Sequence, residues 1–146
     1  MPQPLLVGRK ALTSATAKKV AEAAEDYAAR NSLSVVIAVM DGGGNLLHLV
    51  RMDDAPIGSV AVAQEKARTS VIFKAPTQVF ESALSSGLTS LLKLEILPFA
   101  GGVPITIEGV IAGAVGVSGC ATSAQDGAVA QAGADWLAAA LAAEGS

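Results

Sequence analysis

The chain reads as an α+β domain, an antiparallel sheet made of two hairpins with helices packed on it. Three observations predict this. Two pairs of apolar runs are each joined by a turn-forming segment, Asp41-Gly42-Gly43-Gly44-Asn45 in the first pair and Glu108-Gly109 in the second. Segments of helical period lie before, between and after the pairs. Hairpin connections build antiparallel sheets, whereas a doubly wound fold alternates single strands with helices.

Residues 14–30 carry Ala17, Val20, Ala21, Ala24, Tyr27 and Ala28 at helical spacing, with Lys18, Lys19, Glu22, Glu25, Asp26 and Arg30 on the remainder. Thr13 or Ser14 suits the helix start and Asn31 its stop. Ser34 to Met40 is a continuous apolar and β-branched run, fit for a strand covered on both faces, and Leu46 to Arg51 returns beside it. Asp53-Asp54-Ala55-Pro56 breaks the pattern before a second helix over 58–74, which Pro76 stops. Residues 77–84 and 88–95 read as short helices separated by Gly87, and the second hairpin covers 102–118. Thr122 or Ser123 then caps a long C-terminal helix. Asp126 sits in its first turn, and Val129, Ala132, Trp136 and Ala140 form the expected buried seam.

The second hairpin holds the least ordinary feature. In a regular strand Val110, Ala112, Ala114, Gly116 and Ser118 share one face. From Ala112 onward that face has almost no side-chain bulk, so a close-packed helix or a flat ligand must lie against it.

At 146 residues, with no linker, repeat or low-complexity tract, the chain is expected to form one domain over residues 1–146. Apolar residues make up 51% and charged residues 16%, against roughly 25% charged in ordinary soluble domains. Covering so apolar a chain is simplest between identical subunits, which predicts a homo-oligomer. A net charge of −3 and the lack of any Lys/Arg run argue against a nucleic-acid surface. The apolar stretches are too short and interrupted to span a bilayer, and no export signal is evident, so the expectation is no membrane association and a cytoplasmic location. The single cysteine, Cys120, allows no internal disulfide.

Several residues are candidates for chemistry. Ser59, Val62, Lys66, Thr69 and Phe73 run along one face of the second helix, placing Lys66 among apolar and hydroxyl neighbours. A desolvated ammonium there can hold a carboxylate or enolate, or serve as a base; the plainer reading pairs it with a nearby carboxylate or lets it reach solvent. Arg51, with Met52 and Asp53, ends a strand where a guanidinium can fork onto a carboxylate, or simply pair with Asp53 or Asp54. His48, the only histidine, is a weak axial-ligand candidate, since no second His, Cys or Glu stands at ligand spacing; Met40, Met52 and Cys120 are still less supported. Gly101-Gly102-Val103-Pro104 and Gly116-Val117-Ser118-Gly119 are glycine-rich, but neither has the Walker pattern or the strand–GxGxxG–helix context, so a nucleotide fold is excluded. Cys120, just before the last helix, is either a dipole-activated thiol or a small packed filler.

Taken in order, Val39–Leu46, Arg51-Met52-Asp53-Asp54-Ala55, Lys66-Ala67, Gly101-Gly102-Val103-Pro104-Ile105, Gly116-Val117-Ser118-Gly119 and Gln125-Asp126 resemble the GlcG/HbpS family of haem-binding or "haem-degrading" domains. The same domain is met at the C-terminus of PduO-type cobalamin adenosyltransferases. The resemblance covers roughly residues 10–140. It implies a profilin-like fold, dimers to octamers, and haem or a related tetrapyrrole as the candidate cofactor, with no other implied. Shared positions fall on Asp41, Gly44, Asn45, Arg51, Asp53, Lys66, Gly101, Gly102, Pro104, Gly116, Ser118, Gly119 and Asp126. On that basis Arg51, Asp53, Lys66, Gly101, Gly102, Pro104 and Ser118 are the expected ligand-binding set. The alternative is a cofactor-independent isomerase, lyase or hydrolase of a small organic acid in a catabolic pathway, with Lys66 and Arg51 as its catalytic residues. A third reading is a non-catalytic assembly or sensor partner.

Overall fold

The computed structural model describes residues 2–145. The chain runs α1 (Ser14–Arg30), β1 (Val36–Asp41), β2 (Leu46–Arg51), α2 (Ser59–Phe73), α3 (Gln78–Ser85), a 3-10 turn (Thr89–Lys93), β3 (Gly102–Ile107), β4 (Val110–Ser118) and α4 (Ser123–Glu144). The strands form one antiparallel sheet in the order β2-β1-β4-β3. This is the α+β architecture expected from the two hairpins, and no described helix is long and apolar enough to cross a membrane.

Three layers result. Alternate residues of the first strand region divide between two cores: Val35, Ile37 and Val39 join α1 and α4, while Val36, Ala38 and Met40 face α2. The central strand is therefore buried on both sides, as its unbroken apolar run predicts. Thr13 caps α1 by accepting the Thr16 N–H at 3.0 Å. Thr122 and Gln125 close a full capping box at the start of α4. Asp41 Oδ1 accepts the N–H groups of Gly43 and Asn45, each at 2.9 Å, which shapes the first hairpin turn. In the second, Glu108 and Gly109 take φ of 52° and 79°, the left-handed pair a two-residue turn of this hand requires.

Both hairpins contain a register slip, and each reassigns side chains. In β4 the pairing passes from Ile105–Gly113 to Thr106–Ile111, leaving Ala112 as an extra residue. Ala112 consequently packs under α1 and α4, while Ile111 and Ala114 face α2, so the five residues from Val110 to Ser118 do not share one face. In β2 the slip at Val39/Met40 brings Leu47 into the α1–α4 core beside Val50, whereas Leu49 faces α2.

Two helices are also rotated from their expected seams. On α4 the buried positions are Asp126, Val129, Ala130, Gly133 and Leu137, and Trp136 is 36% exposed. The cause is the close approach to α1: a Cβ on Gly133 would lie 3.0 Å from the Val20 carbonyl oxygen. An indole does not fit a contact that tight. On α2 the sheet-facing positions include Ala63 and Ala67, and Phe73 is displaced outward, where it meets Phe80 edge-on at 5.7 Å.

Candidate functional site

The small-residue surface of β3 and β4 is covered by helix α2. Gly102 and Gly116 are direct cross-strand partners. A Cβ on Gly116 would lie 2.0 Å from the Ala63 carbonyl oxygen, and one on Gly102 would lie 2.3 Å from that of Lys66. The helix backbone thus rests directly on this glycine pair. Of the two occupants the sequence allowed, the helix has the place and no flat ligand fits beneath it.

Lys66 projects from this buried stretch of α2 and is only 3% exposed. Its ammonium donates to the Val117 carbonyl oxygen at 3.0 Å and to Asp126 Oδ2 at 3.0 Å. Because α2 and α4 lie on opposite faces of the sheet, the side chain passes through the sheet's margin to reach its partner. Gly101 opens the passage. Its φ of +130° suits glycine, and a Cβ there would lie 2.8 Å from the Lys66 Nζ. The other oxygen of Asp126, Oδ1, accepts the Cys120 N–H at 2.9 Å. One carboxylate therefore ties α2, the β4–α4 junction and α4 together.

Cys120 is half-buried beside this carboxylate. Burial first, then the hydrogen bond and negative charge of Asp126, push its thiol from 9.0 up to about 12, against a smaller opposing pull from Lys66. The helix start does not activate it, because the nearest full charge is a carboxylate. Since the folded state holds this proton more tightly than the unfolded chain, its protonated form favours folding below pH 9. That contribution is lost as pH rises from about 9 toward about 12. Labelling by a thiol-specific disulfide reagent at pH 8 is expected to be far slower than for an unfolded control and to accelerate with pH. A rate equal to that of the denatured chain would refute this assignment.

Of the remaining predicted residues, Arg51 and Ser118 lie at the same end of the sheet, whereas Pro104 and His48 are level with Met40 and Val39, toward its other end. Val36 pairs with Arg51 on one side and Ser118 on the other, so Arg51 and Ser118 lie two strands apart, about 10 Å. Ser118 is buried and its hydroxyl donates to Ser59 Oγ of α2 at 3.2 Å. Arg51 and Asp53 are exposed, and neither Arg51–Asp53 nor Arg51–Asp54 forms an ion pair. The Asp53 carbonyl accepts from the Ser34 hydroxyl. Pro104 is half-buried on the edge strand β3, where a missing N–H is tolerated. His48 is half-buried and opposite Val39. Among the described residues no group of three His, Cys, Asp or Glu side chains could hold a metal ion.

Two side chains joining this end were not singled out from the sequence. Thr77 accepts the Gly102 N–H at 2.8 Å through its hydroxyl. Glu81 accepts the Ala100 N–H at 2.6 Å and the Ser123 hydroxyl at 2.7 Å. Together they fasten α3 to the approach of β3 and to the start of α4.

At the opposite end of the sheet lies an open cleft of about 530 Å³, lined among others by Arg9, Lys10, Asp41, Val71, Lys74 and Ile111. It is bounded by the segment before α1, the β1–β2 turn, the end of α2 and the start of β4. Lys10 is held by Glu108 at 2.9 Å, whereas Arg9 and Lys74 have no ion-pair partner among the described residues.

The fold and this arrangement define a class: a small three-layer α+β domain in which a lysine–carboxylate pair crosses the sheet margin beside paired glycines. Residues 12–135 match the family described as "Haem degrading protein HbpS-like", and the chain belongs to that family. It is 44% identical over 109 residues to Protein GlcG of Escherichia coli K12, covering 73% of this chain and 81% of GlcG. Among solved structures, a double mutant of Streptomyces reticuli HbpS superposes with a TM-score of 0.83 at 34% identity, covering 94% of each chain. A structure described as a PduOC:Heme complex gives 0.77 at 28% identity, over 86% of this chain and 94% of that one.

Proposed function

We propose that the protein associates with haem or a related tetrapyrrole as a homo-oligomer. The observation that carries this reading is the similarity, over most of both chains, to a domain whose structure is described as a haem complex. Family membership supports it.

Two places are candidates for such a group. The glycine platform does not fit it, because the α2 backbone occupies that space. Lys66 there spends its donors on Val117 and Asp126, so its part in this proposal is to hold the subunit in shape. The open cleft at the other end does fit the periphery of a macrocycle: it combines an apolar wall, Val71 and Ile111, with cationic side chains. When bound, haem supplies an iron centre for redox or ligand chemistry. The chain's own residues supply an apolar surface and positive charge.

Titrating the purified protein with haemin is expected to shift and sharpen the Soret band with a stoichiometric end point. A featureless titration, identical to haemin added to buffer or to an unrelated acidic protein, would remove the proposal.

Oligomerisation is supported by apolar side chains left exposed on and after α2. Ile72, Val79, Leu88, Leu92 and Phe99 are 45%, 52%, 51%, 67% and 50% exposed respectively. Light scattering is expected to return a mass at least twice the 14.5 kDa of one chain, and a strictly monomeric mass would contradict it. The small-acid enzyme is the less favoured reading, since Lys66 would have to abandon a buried ion pair to act on a substrate.

A further inference from the structure

We infer that the 530 Å³ cleft recognises the carboxylates of an amphipathic dianion, with Arg9 and Lys74 as the residues that hold them, and that the metal of such a ligand contributes little to its affinity. This rests on the tetrapyrrole reading above and assigns it a location and a recognition chemistry.

Charge is the first argument. The chain carries ten Lys and Arg against thirteen Asp and Glu, for a net charge of −3. Yet three of the cations line this one cleft against a single lining carboxylate, Asp41. Asp41 Oδ1 accepts two N–H groups of its own turn, and its single negative charge leaves the lining with an excess of two positive charges, three cations less one carboxylate. Lys10 is engaged with Glu108. Arg9 and Lys74 remain, exposed and without ion-pair partners among the described residues. A guanidinium forks onto a carboxylate and an ammonium adds a point charge.

Shape and apolarity are the second. Between the cations the wall is made by Val71, Val110 and Ile111. A small inorganic anion gains nothing from that wall, whereas a flat apolar body bearing two acid groups uses both features at once.

The third argument concerns the metal. The lining residues include no histidine, methionine, cysteine or tyrosine, the side chains that ordinarily ligate haem iron. His48 is on β2 at a position opposite Val39, outside this lining. Recognition at the cleft is therefore carried by the acid groups and the apolar face.

The test uses three probes on the wild-type protein: haemin, metal-free protoporphyrin IX and protoporphyrin IX dimethyl ester, followed by tryptophan quenching and absorbance. Haemin and metal-free porphyrin are expected to bind within about threefold of each other, and the diester at least about tenfold more weakly. Combining Arg9→Gln with Lys74→Gln is expected to weaken haemin by about tenfold and to flatten the salt dependence. Both side chains are exposed, and an unchanged circular dichroism spectrum would confirm that the variant is folded. If the wild type binds haemin but the double variant binds it equally well, or the diester binds as tightly as the diacid, the placement is wrong while the tetrapyrrole reading stands. Metal-free porphyrin failing to bind where haemin binds would overturn the subordinate role given to the metal. If the wild type binds none of the three, both readings fall together.

Discussion

Asp126→Ala is expected to destabilise the fold by about 3–5 kcal/mol, the cost of leaving a buried ammonium without its counter-ion. The geometry puts the value in that range for three reasons. Lys66 is 3% exposed, and its own backbone carbonyl is pressed against Gly102, so the residue is held at the sheet. The same substitution orphans the Cys120 N–H, which loses Asp126 Oδ1. It also removes the only side-chain tie between α2 and α4 across the sheet margin among those described. Combining Lys66→Met with Asp126→Asn removes the charges together while keeping an acceptor for the Cys120 N–H. This double variant is expected to be more stable than Asp126→Ala, because an isolated buried charge costs more than a matched neutral pair. Urea unfolding with an unchanged m-value reads the difference directly. A loss below about 1 kcal/mol for Asp126→Ala would mean that the pair is hydrated rather than buried.

Gly116→Ala is expected to cost about 3 kcal/mol or more, at or beyond the upper end for overpacking. The added methyl would sit 2.0 Å from the Ala63 carbonyl oxygen and 2.6 Å from the Ala67 nitrogen. Both are helix backbone atoms, so no rotamer change relieves the clash and α2 must lift as a body. Lifting α2 also draws Lys66 away from Asp126, so the two effects are coupled and will not add. Gly58→Ala is the matched control. It precedes α2 at φ −60° with no atom within 4 Å of the added Cβ, and it is expected to change stability by less than about 0.5 kcal/mol. Equal costs at the two positions would refute the close contact between helix and sheet.

Much of this architecture could be read from local signals. Helix α1 falls over Ser14–Arg30 because its apolar stripe, its Thr13 cap and its stop all coincide in sequence. The Glu108-Gly109 turn fixed the second hairpin for the same reason, since two residues with positive φ are a local requirement. The register slips were not legible, because a bulge is set by how two strands meet rather than by either strand alone. That is why Ala112 was assigned to the wrong face. The α4 seam was misplaced because Trp136 looks like a core residue by hydropathy, whereas the core needs Gly133 against Val20.

Lys66, Gly101 and Gly102 stood out in the sequence, but the way they come together did not. Lys66 and Asp126 are sixty positions apart, and nothing local links a helical lysine to a first-turn aspartate. Asp126 read as a helix-dipole residue, which it also is. Glu81 and Thr77 had no signature at all, because their partners are backbone N–H groups contributed by distant segments. The cleft was missed for a similar reason: Arg9, Lys74 and Ile111 are scattered along the chain, and only folding brings them to one rim.

Helix α2 seated on bare backbone has a kinetic corollary. On the proposed reading a guest would be received on the periphery, through an aperture that already stands open, so capture and release would require no breathing of the interior. Residence time would then be governed by how firmly the rim grips, and a visitor could be handed on to another molecule without the host unfolding any part of itself.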